Sequence, residues 1–124
     1  MIRHIKCYIV STYQTELPER ANDLNTAHEL GKLSKAGTFN KLVRGTFNGI
    51  EEKSIVVRDQ ASAKLIAWAY NQECYLEINE DRSAFFIYPD GRSEYQGIWS
   101  SCDDDFEGDH TYDPSTSTKY RIEV

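Results

Sequence analysis

The sequence predicts an α+β domain: a ferredoxin-like antiparallel sheet with two helices on one face and an additional C-terminal β-meander. Three observations carry this. Segments alternating with period two are interrupted by two segments with helical spacing. Their order is β-α-β-β-α-β, the split βαβ pattern. Short strand-like segments separated by turn signals then run to the C-terminus. The 124 residues form one domain, 1–124, large enough for a core.

The elements follow in order. Residues 5–10 alternate, with Ile5, Cys7 and Ile9 on one face and Lys6, Tyr8 and Val10 on the other, and Leu17-Pro18 ends that strand. From Asn22 to Ala36, Leu24, Ala27, Leu30 and Leu33 form an apolar helical stripe, capped by Asn22 or Asp23 and ended by Gly37. Phe39–Phe47 is a strand, and Asn48-Gly49 is a hairpin turn because both residues tolerate positive φ. Glu52–Arg58 is the next strand. Asp59 then caps a helix over Ala61–Asn71, whose buried stripe is expected at Ala61, Leu65 and Trp68 or Ala69. Cys74–Ile78, Ser83–Tyr88, Glu94–Trp99 and Lys119–Val124 are strands, with an acidic loop over about 100–117. One sheet face is left to solvent or another subunit. Rings such as Tyr8, Tyr75, Phe86, Tyr88, Tyr95 and Trp99 are expected partly there, which favours self-association.

Composition narrows the function. Hydrophobic residues make up 40% and aromatics 12%, as in a folded globular protein. The net charge of −6 and a pI near 5.0 argue against a general nucleic-acid binder and suit a cationic ligand or a basic partner. No apolar run approaches the roughly 20 residues of a membrane span. The N-terminus lacks the apolar stretch of a signal peptide, so a cytoplasmic location is expected. Cys7, Cys74 and Cys102 are scattered and read as free thiols.

Site candidates are few. Glu51 and Glu52 begin a strand, so they point to opposite faces and one can meet a cleft. A carboxylate on a rigid element beside the aromatic Phe47 suits a small cation, although exposed glutamates are common. Asp103, Asp105, Glu107 and Gly108 resemble the start of a calcium loop, but twelve positions from Asp103 falls on Pro114, where a bidentate glutamate is needed. No metal site is therefore expected, and a solvated loop is the simpler reading. His4, His28 and His110 have no metal-ligand spacing, and GxSxG, GxGxxG and GxxxxGK[ST] are all missing.

Several segments together resemble the phage-encoded S-adenosylmethionine (SAM) degrading enzymes, long called SAM hydrolases and later reinterpreted as SAM lyases. The likeness begins at Tyr8-Ile9-Val10-Ser11-Thr12-Tyr13 and continues through His28 and Leu33-Ser34-Lys35-Ala36-Gly37. It is strongest at Gly45-Thr46-Phe47 and Glu51-Glu52-Lys53-Ser54-Ile55-Val56-Val57-Arg58, and extends to Gln72-Glu73-Cys74. It covers roughly residues 5–100. The resemblance implies SAM as substrate, no cofactor, and a homotrimer with the active site at the subunit interface. It places the essential carboxylate at Glu52, with Glu51 as the one-residue alternative. It sets Phe47 where the family has an active-site tyrosine, and makes Ser11 and Tyr13 further substrate-binding candidates.

The implied reaction is cleavage of SAM to methylthioadenosine and L-homoserine lactone, or homoserine if water attacks. SAM depletion would counter host methylation and restriction. Two readings from other classes compete: a non-catalytic acidic inhibitor that mimics DNA through residues 103–109, and a small-ligand-binding regulatory module. Release of methylthioadenosine separates the enzyme from both.

Overall fold

A computed structural model describes residues 4–124; the first three residues of the N-terminal segment judged above lie outside them. The elements are β1 (Cys7–Ser11), α1 (Glu19–Lys35), β2 (Asn40–Phe47), β3 (Ile50–Val57), α2 (Gln60–Ala69), β4 (Tyr75–Ile78), β5 (Ser83–Ile87), β6 (Ser93–Cys102), β7 (His110–Asp113) and β8 (Thr118–Glu123). Neighbouring strands are antiparallel throughout, in the order β1-β3-β2-β7-β8-β6-β5-β4. β4 returns to pair with β1 and closes a barrel.

Closure overturns the ferredoxin-like expectation. That architecture is an open sheet with two free edges. Here β4-β1-β3-β2 is only half of a continuous wall, because β5 pairs with β4 and β7 pairs with β2. The C-terminal strands are the second half of a barrel, not an appended meander. Free edges expose unpaired N–H and C=O groups, and closure removes both. Part of that second half comes from the segment expected as a loop over 100–117. β6 runs on to Cys102 and β7 occupies His110–Asp113, which leaves an acidic connection at 103–109.

Two local devices shape the wall. Asn48 and Gly49, both at positive φ, turn β2 into β3 as their dipeptide predicts. At Gly97, φ is +136° and a Cβ would lie 2.2 Å from the Glu123 carbonyl oxygen, so only glycine lets β8 approach β6 this closely.

The helices lie outside the barrel, α1 against β2 and β3, α2 against β1, β3 and β4. Tyr8, Val10, Ile55 and Val57 turn outward to meet Ala63, Ile66 and Ala67 of α2, with Leu30 and Leu33 of α1 beside them. Each fully buried aliphatic side chain there contributes about 1.5–3 kcal/mol. The helical stripes match expectation only in part: Leu30 and Leu33 meet the core as expected. Leu24 is exposed, and α1 instead buries Asn22, Thr26 and Glu29. It is fastened by hydrogen bonds: Thr26 to the Thr12 hydroxyl at 2.8 Å, the Asn22 amide to the Gln14 backbone, and Glu29 from the Tyr70 hydroxyl at 3.0 Å. In α2, Asp59 caps the first turn by accepting from the Ser62 amide, but Leu65 and Trp68 are 65% and 80% exposed. The rings expected on an open face are redistributed by closure. Tyr8 and Tyr75 pack edge-to-face near α2, while Phe86 and Trp99 line the interior.

Inside the barrel the two ends differ. Near the start of β1, Val56, Ile78 and Ala84 are buried, and an ion pair joins Lys41 to Asp113. Towards the end of β1 the interior opens into a cavity.

Candidate functional site

The cavity measures about 580 Å³, and strands from both halves of the barrel line it. An eight-stranded barrel has room for one small ligand of this kind. Strand parity decides which side chains enter. Ser54 pairs with Ser11 on β1, and Glu52 pairs with Gly45 on β2, so these four positions share the inner face. Glu51 pairs with Thr46, points outward and is exposed. The open choice between the two adjacent acids thus has a geometric answer: Glu52 enters the cavity.

Glu52 is half-buried, and among the described residues nothing forms a hydrogen bond or ion pair with its carboxylate. Phe47 stands beside it. A Cβ added at Gly45 would lie 2.8 Å from the Phe47 ring, so the ring occupies the space that the glycine leaves. Ser11 also lines the cavity, and its hydroxyl accepts from the Tyr13 amide at 2.9 Å.

Tyr13 lies elsewhere. Its hydroxyl donates to Asp23 at 2.7 Å, and Asp23 pairs with Lys53 at 3.2 Å. Burial, reinforced by the bond to Asp23, pushes the Tyr13 phenol up to about 12. The bonds from Tyr13 and Lys53 hold the Asp23 carboxyl below its usual range. This chain ties α1 to β3 on the outer side of the wall. Glu52, Phe47 and Ser11 are therefore brought together, while Glu51 and Tyr13 are not.

Other lining residues gave little signal in the sequence. Thr111 of β7 and Tyr120 of β8 belong to one hairpin, which reaches the site only because β7 pairs with the distant β2. Glu73 and Asp109 add carboxylates to the lining, against the single guanidinium of Arg121, which lies over the Phe106 ring. Asp109 accepts from the Asn48 amide at 2.9 Å, fixing the 103–109 connection to the β2–β3 turn at the cavity mouth. The excess of carboxylates favours a cationic ligand.

The acidic connection is built around a lysine. Lys119 Nζ donates to the carbonyls of Asp104 at 2.7 Å and Phe106 at 2.8 Å. Among the described residues no group of three His, Cys, Asp or Glu side chains could hold a metal ion, and no helix is long and apolar enough to cross a membrane.

Residues 8–123 match the sequence profile of the S-Adenosylmethionine lyase family. No curated protein sequence matches the chain significantly.

Proposed function

The chain belongs to the S-adenosylmethionine lyase family, and from that premise we propose that it cleaves S-adenosyl-L-methionine to methylthioadenosine and L-homoserine lactone. One structural observation carries the reading: an unpaired carboxylate, Glu52, inside the barrel's open-mouthed cavity with an aromatic ring beside it.

The reaction follows from the substrate. The sulfonium is a good leaving group, and the α-carboxylate of the same molecule can reach its own γ-carbon. A carboxylate oxygen forms a bond to that carbon, the carbon–sulfur bond breaks, and its electron pair moves to sulfur. Neutral methylthioadenosine leaves, and the lactone retains the ammonium. No proton moves in this step.

The protein folds the substrate and removes water from the attacking carboxylate. Orientation of this kind supplies about 7–11 kcal/mol in favourable intramolecular cases. Glu52 pairs with the ammonium and fixes the reactive rotamer. Phe47 presents its ring to the sulfonium. Ser11 offers a hydroxyl at the inner end of the same face.

Assembly and biology extend the proposal. Phe47 and Ile50, at the β2–β3 turn, are 47% and 70% exposed, which supports self-association close to the cavity mouth; a homotrimer is the assembly that the family resemblance implies. Acting in the cytoplasm, the protein would deplete the methyl donor on which methylation and restriction depend.

Incubation of the purified protein with SAM tests the reading. Methylthioadenosine with homoserine lactone, caught before the lactone opens, is the expected result. Free homoserine from the first turnover would instead make the reaction hydrolytic. No methylthioadenosine at all would remove the enzyme reading. Light scattering after size exclusion tests the trimer.

A further inference from the structure

On the cavity wall, Glu52 is joined through the register to Gly45, Gly45 to Thr111, and Thr111 to Tyr120. That run crosses three strand-to-strand steps, about 14 Å along the wall at roughly 4.8 Å each. Tyr120 therefore stands well round the barrel from the carboxylate.

Its ring is already half of a stack. Trp99 lies against it with centroids 5.1 Å apart and planes inclined by 14°. Trp99 is only 5% exposed, whereas Tyr120 is half-buried and lines the cavity with it. Trp99 thus backs the pair, and Tyr120 carries the accessible surface. Among the described residues the hydroxyls of Tyr120 and of Thr111 have no hydrogen-bond partner. A flat, rigid aromatic surface flanked by two free hydroxyls matches a planar heteroaromatic base carrying polar edges.

We propose that Tyr120, backed by Trp99, is the platform on which the purine base of the substrate stacks, with the Thr111 hydroxyl available to its polar edge or its ribose. This rests on the reading of the cavity as a SAM site and deepens it. The amino-acid end sits at Glu52 and Phe47, and the nucleoside end sits across the barrel.

The test uses methylthioadenosine, which keeps the base and lacks the amino-acid end. The chain has two tryptophans, so Trp68→Phe, on the outer face of α2, leaves Trp99 as the only indole emitter. Titrating that protein with methylthioadenosine should change Trp99 emission saturably, with the affinity found by calorimetry. Tyr120→Leu should weaken methylthioadenosine binding about tenfold or more, as expected for loss of a stacked base. Tyr120→Phe should retain most of the binding, and Glu52→Gln should bind methylthioadenosine like wild type.

Unchanged binding in Tyr120→Leu would overturn the platform. If that variant does not fold, the emission of Trp99 decides: a protein that cleaves SAM while Trp99 ignores methylthioadenosine overturns the platform and leaves the activity standing. A wild-type protein that releases no methylthioadenosine from SAM overturns both.

Discussion

Gly45 and Glu52 face each other across the β2–β3 ladder, and the side chain that Gly45 lacks is what leaves room for the Phe47 ring beside the Glu52 carboxylate. Two consecutive inward positions of β2 thus act as a pair, one empty and one aromatic. The motif Gly45-Thr46-Phe47 acquires a physical meaning: an inward gap, an outward threonine and an inward ring.

Gly45→Ala should therefore move the ring more than it disturbs the fold. The new Cβ would meet Phe47 at 2.8 Å, and the half-exposed ring can swing away. The melting temperature is expected to change little. kcat/KM for SAM should fall roughly tenfold to a hundredfold, since small misplacements near reacting atoms cost that much. A crystal structure of the variant would show the ring displaced.

Parity separates the two adjacent acids. Glu51→Gln alters an exposed outward side chain and should leave turnover within about twofold of wild type, as surface substitutions cost little. Steady-state rates on SAM check this.

Tyr13→Phe probes a residue that the sequence marks for the site and the fold places outside the cavity. Losing the hydrogen bond to Asp23 should cost about 1 kcal/mol in urea unfolding. The KM for SAM should stay near wild type. A large rise in KM with unchanged stability would return Tyr13 to the substrate.

The filled end of the barrel gives a pH-dependent prediction. Burial raises the Asp113 carboxyl, but the bonds from Lys41 and Ser115 outweigh it, and its folded pKa lies below the ordinary value. Its contribution to stability is therefore full above the ordinary carboxylate range and is lost as pH falls through the lowered folded value. Lys41→Met leaves a buried carboxylate unpaired and should cost roughly 2–4 kcal/mol at neutral pH. Acidification protonates Asp113 in that variant first, so the gap to wild type should narrow. Urea unfolding from neutral to acidic pH measures it.

How far the sequence could be read follows from which pairings are local. The β2–β3 turn, the Asp59 cap and the alternation that sends Glu52 and Glu51 apart are set within a few residues, and each was legible. The barrel was not. Its closure depends on β7, a four-residue strand, His-Thr-Tyr-Asp, that follows a run of acids and gives no alternating signal. Without β7, β2 looks like a free edge and the C-terminal strands look like a meander. The helix faces misled for a different reason. Asn22, Thr26 and Glu29 are buried through specific hydrogen bonds, while Leu24, Leu65 and Trp68 remain exposed, so counting apolar residues found only the Leu30 and Leu33 part of the buried face of α1 and missed that of α2. The side of the cavity opposite Glu52 was hidden with β7, because the β7–β8 hairpin that carries Thr111 and Tyr120 joins β2 only through long-range register.

In the proposed reaction everything turns on the Glu52 carboxylate holding the substrate ammonium inside the barrel. Glu52→Gln removes the charge and keeps the shape. Methylthioadenosine released from SAM by this variant, beside wild type and with folding checked by circular dichroism, tests it most directly. A folded protein whose kcat/KM is reduced by about a thousandfold or more is expected, the scale of losing a charged anchor worth about 4 kcal/mol. Turnover within a few-fold of wild type would contradict it.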